Sequence, residues 1–183
     1  MAHSRLLLLL IGAAVTHLPQ VHAGPLDFWC NTDSRQSLME SFNDMGSCPD
    51  LLPSPLPVPC TGLNLLHWRN KTLQEKQAEV LEDFQVLQDG IQDVSNQSSS
   101  GCQPSLKDIQ INISQYVKII SRALKQSGAA AAPPASIQTC GEKRRLGEVW
   151  DVYRRLVNGK LEELAKDMSE ALCSRRRRSL RKL

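Results

Sequence analysis

Imidazole is scarce in this chain. Of its four histidines, His3, His17 and His22 fall in the first 23 residues, leaving His67 alone in the rest. A histidine-built zinc site or a Ser/Cys–His hydrolase needs an imidazole set among partner groups, and a single one argues against both. There is no CxxC pair, no HExxH and no glycine-rich phosphate loop, so metal clips and nucleotide cradles have no footing here. No apolar run reaches the roughly 18 residues of a membrane-spanning helix. The expectation is a chain that is not an enzyme, with no catalytic residues, no metal and no cofactor.

What is present begins with an address. Met1 to Arg5 is a short basic start and Leu6 to Val15 a ten-residue apolar run, while Val21 and Ala23 are small residues placed for cleavage before Gly24. This is the pattern of a secretory signal peptide, predicting removal of residues 1–23 and a secreted, extracellular product. The 160 residues from Gly24 onward are enough for one domain burying about 70% of its unfolded surface. All six cysteines lie in this part. An even count in an oxidising compartment implies three bridges, with 15 pairings open. Three N-glycosylation sequons start at Asn70, Asn96 and Asn112. Asn96 lies in a polar link and is the safest acceptor. Asn70 extends a core-facing series with Gln77, Phe84 and Ile91, and burial there would leave it bare. Asn112 stands beside the apolar Ile113 and stays open.

The formal charge of +3 is unevenly placed. Residues 174–183 hold six basic groups and no acid; without them and Arg5, 15 basic groups face 19 acidic ones. This basic tail has three readings: a solvated end, a processing site after Arg178, or a contact for heparan sulfate. Neither nucleic-acid binding nor membrane insertion is expected.

Four stretches have helical periodicity. The first runs from about Asp33 to Met45, with Leu38, Phe42 and Met45 on one face. The second, about Leu63 to Val94, repeats Leu66, Leu73, Val80, Leu87 and Val94 every seven residues. The third opens at Pro104 and carries Leu106, Ile109, Ile113, Val117, Ile120 and Leu124. The fourth, about Lys143 to Leu172, lines up Leu146, Val149, Trp150, Tyr153, Leu156, Val157, Leu161, Leu164 and Met168. None of the chain alternates convincingly as a strand. The links are long, short and long: the first carries prolines 53, 55, 57 and 59, which enforce an extended backbone. Short links suit antiparallel neighbours and long ones overhand crossings. The pattern predicts an all-α, up-up-down-down four-helix bundle with two long crossover loops, the helical-cytokine arrangement. That course puts Cys30 near Cys173 at one pole and Cys48 near Cys102 at the other, each bridge contributing about 4–5 kcal/mol by chain entropy. Cys60 and Cys140 pair by elimination.

Two segments carry a resemblance. NLLHWRNKTLQEKQAEVLEDFQV (64–86) and VYRRLVNGKL (152–161) resemble the second and fourth helices of the erythropoietin/thrombopoietin family, and the likeness extends over most of residues 30–173. CPDLLPSPLPVP (48–59), Cys102 and ALCSRRRR (171–178) resemble the thrombopoietin branch more than the erythropoietin one. In that family the two long loops meet as a short strand pair, which favours the Cys60–Cys140 bridge. Three departures stand out: no Pro/Ser/Thr-rich tail follows Cys173, Cys60 and Cys140 are an extra pair, and Asn158 and Glu162 occupy positions that tend to be basic.

The resemblance implies a monomeric extracellular hormone that holds two copies of a class I cytokine receptor together, the thrombopoietin receptor first, so that receptor-associated Janus kinases activate STAT factors. The stronger face would draw on Arg154, Arg155, Asn158, Gly159 and Lys160 in the fourth helix and on Arg69 and Lys76 in the second. The weaker face would use the first and third helices, with Asp33 and Arg35 as candidates. An erythropoietin-type hormone and a secreted carrier of apolar ligands are the competing readings. Because the tail lies beyond the last cysteine, deleting residues 175–183 is expected to leave receptor signalling intact, as a STAT-reporter assay would read directly.

Overall fold

A computed structural model describes residues 25–33, 35, 51–97, 103–126 and 139–180. The signal segment, Leu38, Phe42, Met45 and the Cys48–Cys102 pair lie outside the described residues. In chain order the elements are α1 (Pro25–Cys30), β1 (Leu51–Pro59), α2 (Leu65–Arg69), α3 (Leu73–Gln97), α4 (Gln103–Gln126), β2 (Thr139–Arg145), α5 (Leu146–Leu156), a π-helical turn (Val157–Leu161) and α6 (Glu162–Leu180). The fold is mostly helical. Helical backbone runs past Cys173 to Leu180, into the segment read as a tail.

Helix starts are written in capping residues. The second periodic stretch is broken rather than continuous. The Asn64 side chain accepts from the His67 N–H at 3.1 Å and opens α2. Thr72 and Glu75 then cap each other: Thr72 N–H donates to Glu75 Oε2 at 2.7 Å, and Glu75 N–H to Thr72 Oγ1 at 3.2 Å, a capping box that opens α3. The break shifts the helical phase. Leu66, expected in the core, is 75% exposed, and Trp68 is buried instead.

Pro25 stands at the first position of α1, where its missing N–H costs nothing. The Arg35 guanidinium donates to the carbonyls of Phe28 (3.0 Å) and Trp29 (3.2 Å) at the other end. This helix buries Phe28 and Trp29, neither counted in the sequence stripes. Phe28 meets Trp29 edge-on and tilts against Tyr116 of α4, which stacks on Phe84 of α3. The apolar stripes of α3, α4 and the α5–α6 segment close around these rings: Val80, Leu87, Ile91, Ile113, Ile120, Leu156 and Leu164 are all solvent-free.

The two long links do meet as strands, antiparallel, with Leu56 opposite Lys143 and Pro59 opposite Thr139. The proline repeat was read as extended chain, and it is a strand. Leu52, Leu56 and Val58 point into the core, with Leu51, Pro53 and Pro57 outward. Prolines at every second place remove N–H donors from this strand, and its pairing with β2 is interrupted by register shifts between Leu51 and Leu56 and between Pro57 and Pro59. Bonds Cys60–Cys140 and Cys30–Cys173 are both present. Gly141, beside Cys140, has φ +107°, a backbone state that favours glycine.

β1 lies along α3 and touches α5. Its close approach depends on Gly90: a Cβ there would sit 3.1 Å from the Leu56 side chain and 3.2 Å from the Pro57 carbonyl oxygen. Gly90→Ala is therefore expected to lower stability by about 1 kcal/mol, overpacking against a bridged ribbon outweighing the gain in helix propensity. Gly62→Ala, where a Cβ meets nothing, should be near neutral. Urea unfolding of the two variants checks both.

Candidate functional site

The α5–π–α6 segment divides its residues sharply between outside and inside. Arg154, Arg155 and Asn158 are exposed and lie within one turn of each other. Between α5 and α6 the chain inserts a π-helical turn, Val-Asn-Gly-Lys-Leu, a local widening frequent at functional sites. Val157, Lys160 and Leu161 of this turn are buried. Gly159 is half-buried, and a Cβ built on it meets nothing. Internal packing therefore does not require glycine at 159. Bare backbone here is available to something outside the chain.

Lys160, expected on the stronger receptor face, turns inward instead. It is 4% exposed, and its Nζ lies 2.7 Å from Asp83 Oδ2 and 2.8 Å from Glu79 Oε1, both on α3. Glu79 also pairs with Lys71. Burial pushes the Asp83 carboxyl up to about 6 against the pull of Lys160. For Glu79 burial is again the largest single influence, but the bonds from Lys160 and Lys71 together hold its carboxyl below the usual range. Lys160 is likewise held above its ordinary value, its two carboxylate partners overcoming burial.

Lys76 also turns inward, donating to Asp167 Oδ2 at 2.9 Å. That oxygen accepts from Trp68 Nε1 at 3.1 Å, and Lys76 stands over the Trp68 ring at 5.5 Å. The cluster pins α2 and α3 to α6. Arg35 is spent on the α1 carbonyls and on Glu162, 3.2 Å from its Nε. These three cations, expected on the receptor faces, are buried and paired within the fold. Arg69 and Asp33 remain exposed. Beside Arg69 stand Leu65 and Leu66, 48% and 75% exposed. This apolar pair was missed because its signal, the Thr72–Glu75 capping box, was read as helix interior.

The sequons divide as well. Asn70 is exposed, not buried: it closes α2 on the outer surface. Asn96 is exposed in the last turn of α3, accepting from Gln92 at 3.0 Å. Asn112 is 6% exposed beside Tyr153, and a glycan there has no room in the fold.

Residues 33–176 match the family model for erythropoietin/thrombopoietin. The chain belongs to the erythropoietin/thrombopoietin family. None of the curated proteins matches it. Erythropoietin/thrombopoietin members are secreted signalling hormones, not enzymes, and bind class I cytokine receptors. Among the described residues no helix is long and apolar enough to cross a membrane.

The buried cluster makes a sharp prediction. Removing its cation strands the buried Asp83 carboxylate and leaves half-buried Glu79 with Lys71 alone, so Lys160→Met should lose about 3 kcal/mol at neutral pH. A carboxyl whose folded pKa is raised contributes stability that is present below its unfolded value and is lost as pH rises through about 6. Acidification from about pH 7 toward about pH 5 should therefore recover part of the loss as Asp83 takes up a proton. Urea unfolding at the two pH values reads both effects.

Proposed function

We propose that this chain is a secreted haematopoietic hormone of the thrombopoietin type, regulating megakaryocyte and thrombocyte production. After cleavage behind Ala23 it would take the up-up-down-down course, with Cys48–Cys102 as a third bridge and glycans on Asn96 and Asn70. It brings two copies of one class I cytokine receptor together, and their Janus kinases then activate STAT factors. The observation that carries this reading is the outward half of the π-turn, where open Gly159 backbone and Asn158 stand beside Arg154 and Arg155.

Arg69, Leu65 and Leu66 extend the principal face, the two leucines supplying the apolar anchor that a receptor hot spot requires. The second, weaker face draws on Asp33 and on α4, where Ile111 is 46% exposed. Lys160, Lys76 and Arg35 act through the fold. Charge reversal at Lys160 would therefore report on stability rather than on contact.

An erythropoietin-type hormone is the second reading, favoured by VYRRLVNGKL. Two otherwise identical cell lines, each expressing one of the two receptors, separate them by STAT phosphorylation, and silence in both from folded, oxidised protein would sink the hormone reading. Within the responsive line, Gly159→Leu should still fold, since a Cβ at 159 meets nothing among the described residues and glycine is worth about 1 kcal/mol less than alanine in a helix. It should nevertheless bind receptor at least about tenfold more weakly, a loss of about 1.4 kcal/mol. Full affinity would mean that no receptor backbone approaches there.

A further inference from the structure

Helix α2 buries one of its five residues, Trp68, whose Nε1 donates to Asp167 of α6. Its outer side carries Leu65 and Leu66, 48% and 75% exposed. Asn70 closes this helix with right-handed helical backbone, its N–H donating to the His67 carbonyl at 3.2 Å. Helical spacing therefore reaches Asn70, and residues four apart in a helix are neighbours, about 5–6 Å from Cβ to Cβ. The neighbour of Asn70 on that row is Leu66.

Asn70 opens the sequon Asn70-Lys71-Thr72, and of the three acceptors it alone lies in an exposed turn between helices. Modification moves the anomeric carbon of an oligosaccharide from its lipid pyrophosphate carrier to Asn70 Nδ2. The pyrophosphate is the leaving group, and the amide gives up one proton. The transferase reads the Thr72 hydroxyl as part of the sequon. In the folded chain that hydroxyl is committed to Glu75, donating to Oε2 at 2.8 Å and accepting from the Glu75 N–H at 3.2 Å. Transfer therefore belongs to the entering chain, before the first turn of α3 closes, and the sugar is in place when α2 folds beside it.

Resting on the receptor-binding reading above, we infer that an N-glycan on Asn70 folds over Leu66 and closes that part of the principal face, so that occupancy of this one sequon sets receptor affinity. The first sugar suits the place. An N-acetylglucosamine ring presents C–H groups and an acetamido methyl to a leucine while its hydroxyls stay in water, so covering Leu66 removes apolar surface from solvent. Bare, Leu66 is an anchor open to a partner; covered, it is already spent. Sugar and receptor compete for one side chain, and Leu65 and Arg69 stand within the sweep of the same glycan.

The test uses the full oxidised chain with Asn96→Gln, which leaves Asn70 as the exposed sequon among the described residues. Protein from glycosylating cells, its occupancy read by peptide mass spectrometry, is compared with the same chain from a non-glycosylating host and with Asn70→Gln. Surface plasmon resonance against the receptor ectodomain should show the occupied form about tenfold weaker than both bare forms. Leu66→Ala should weaken the bare form and leave the occupied form unchanged. Covering is read without receptor: the sugar shortens retention on a hydrophobic-interaction column, and Leu66→Ala should shrink that difference at least about twofold. A difference of undiminished size means that the sugar adds polarity without lying on the leucine, and overturns the covering. Equal affinity of occupied and bare forms overturns the gate, as does secretion from glycosylating cells of chains that are all bare at Asn70. Binding of no form to either receptor, with the column difference shrinking as stated, refutes the hormone reading and leaves the covering of Leu66 standing.

Discussion

A lysine ammonium shut away from water dictates much of this architecture. Lys160 is buried between α3 and the fourth helical segment, and a buried cation must be matched by charge or give up its proton. Two carboxylates on α3, four residues apart and so on one face, supply the match at 2.7 and 2.8 Å. That requirement fixes the register of the two segments: a shift of one residue would move the cation to a different face of its helix. It also accounts for three acids close together on α3, where burial first and neighbouring carboxylates second raise the proton affinity of Glu82 and Asp83. Glu79 and Asp83 face Lys160, and Glu82 bears the repulsion at the edge.

A second restraint acts on the crossovers rather than on the helices. The β1–β2 ribbon is tied by Cys60–Cys140, lies along α3 and touches the start of the fourth segment at α5. It brings Leu52, Leu56 and Val58 to the core as a helix would, but with half of its amides removed by proline. Fewer donors make such a ribbon a poor template for another strand, so the long apolar-proline link fills the core at little risk of further pairing.

Much of this was legible in residue order, and the reasons differ by element. The stripe of α4 read correctly because Leu106, Ile109, Ile113 and Ile120 keep one helical period without interruption. Along the second stripe the heptad from Val80 to Val94 held, but extending it back to Leu66 failed. The N-cap chemistry of Thr72 overrode a period that four leucine and valine positions had suggested. Strand β1 is masked by its prolines, which weaken strand propensity, and its alternation is broken by half-buried Pro55 and buried Pro59. The cations were the least legible. Lysine or arginine beside an apolar stripe reads as a side chain reaching for water, and only a partner on another helix, distant in sequence, turns it inward.

The π-turn joins these constraints in five residues. Adding a residue to a helix rotates everything beyond it, and here the rotation sends Lys160 inward and leaves Asn158 and Gly159 outside. Folding and presentation are thereby carried by different side chains of one turn. At 159 a Cβ meets nothing among the described residues, whereas position 160 cannot vary without leaving Asp83 unmatched and Glu79 with Lys71 alone. Charge on the inner half of the turn, Lys160 between Asp83 and Glu79, holds the outer half in place.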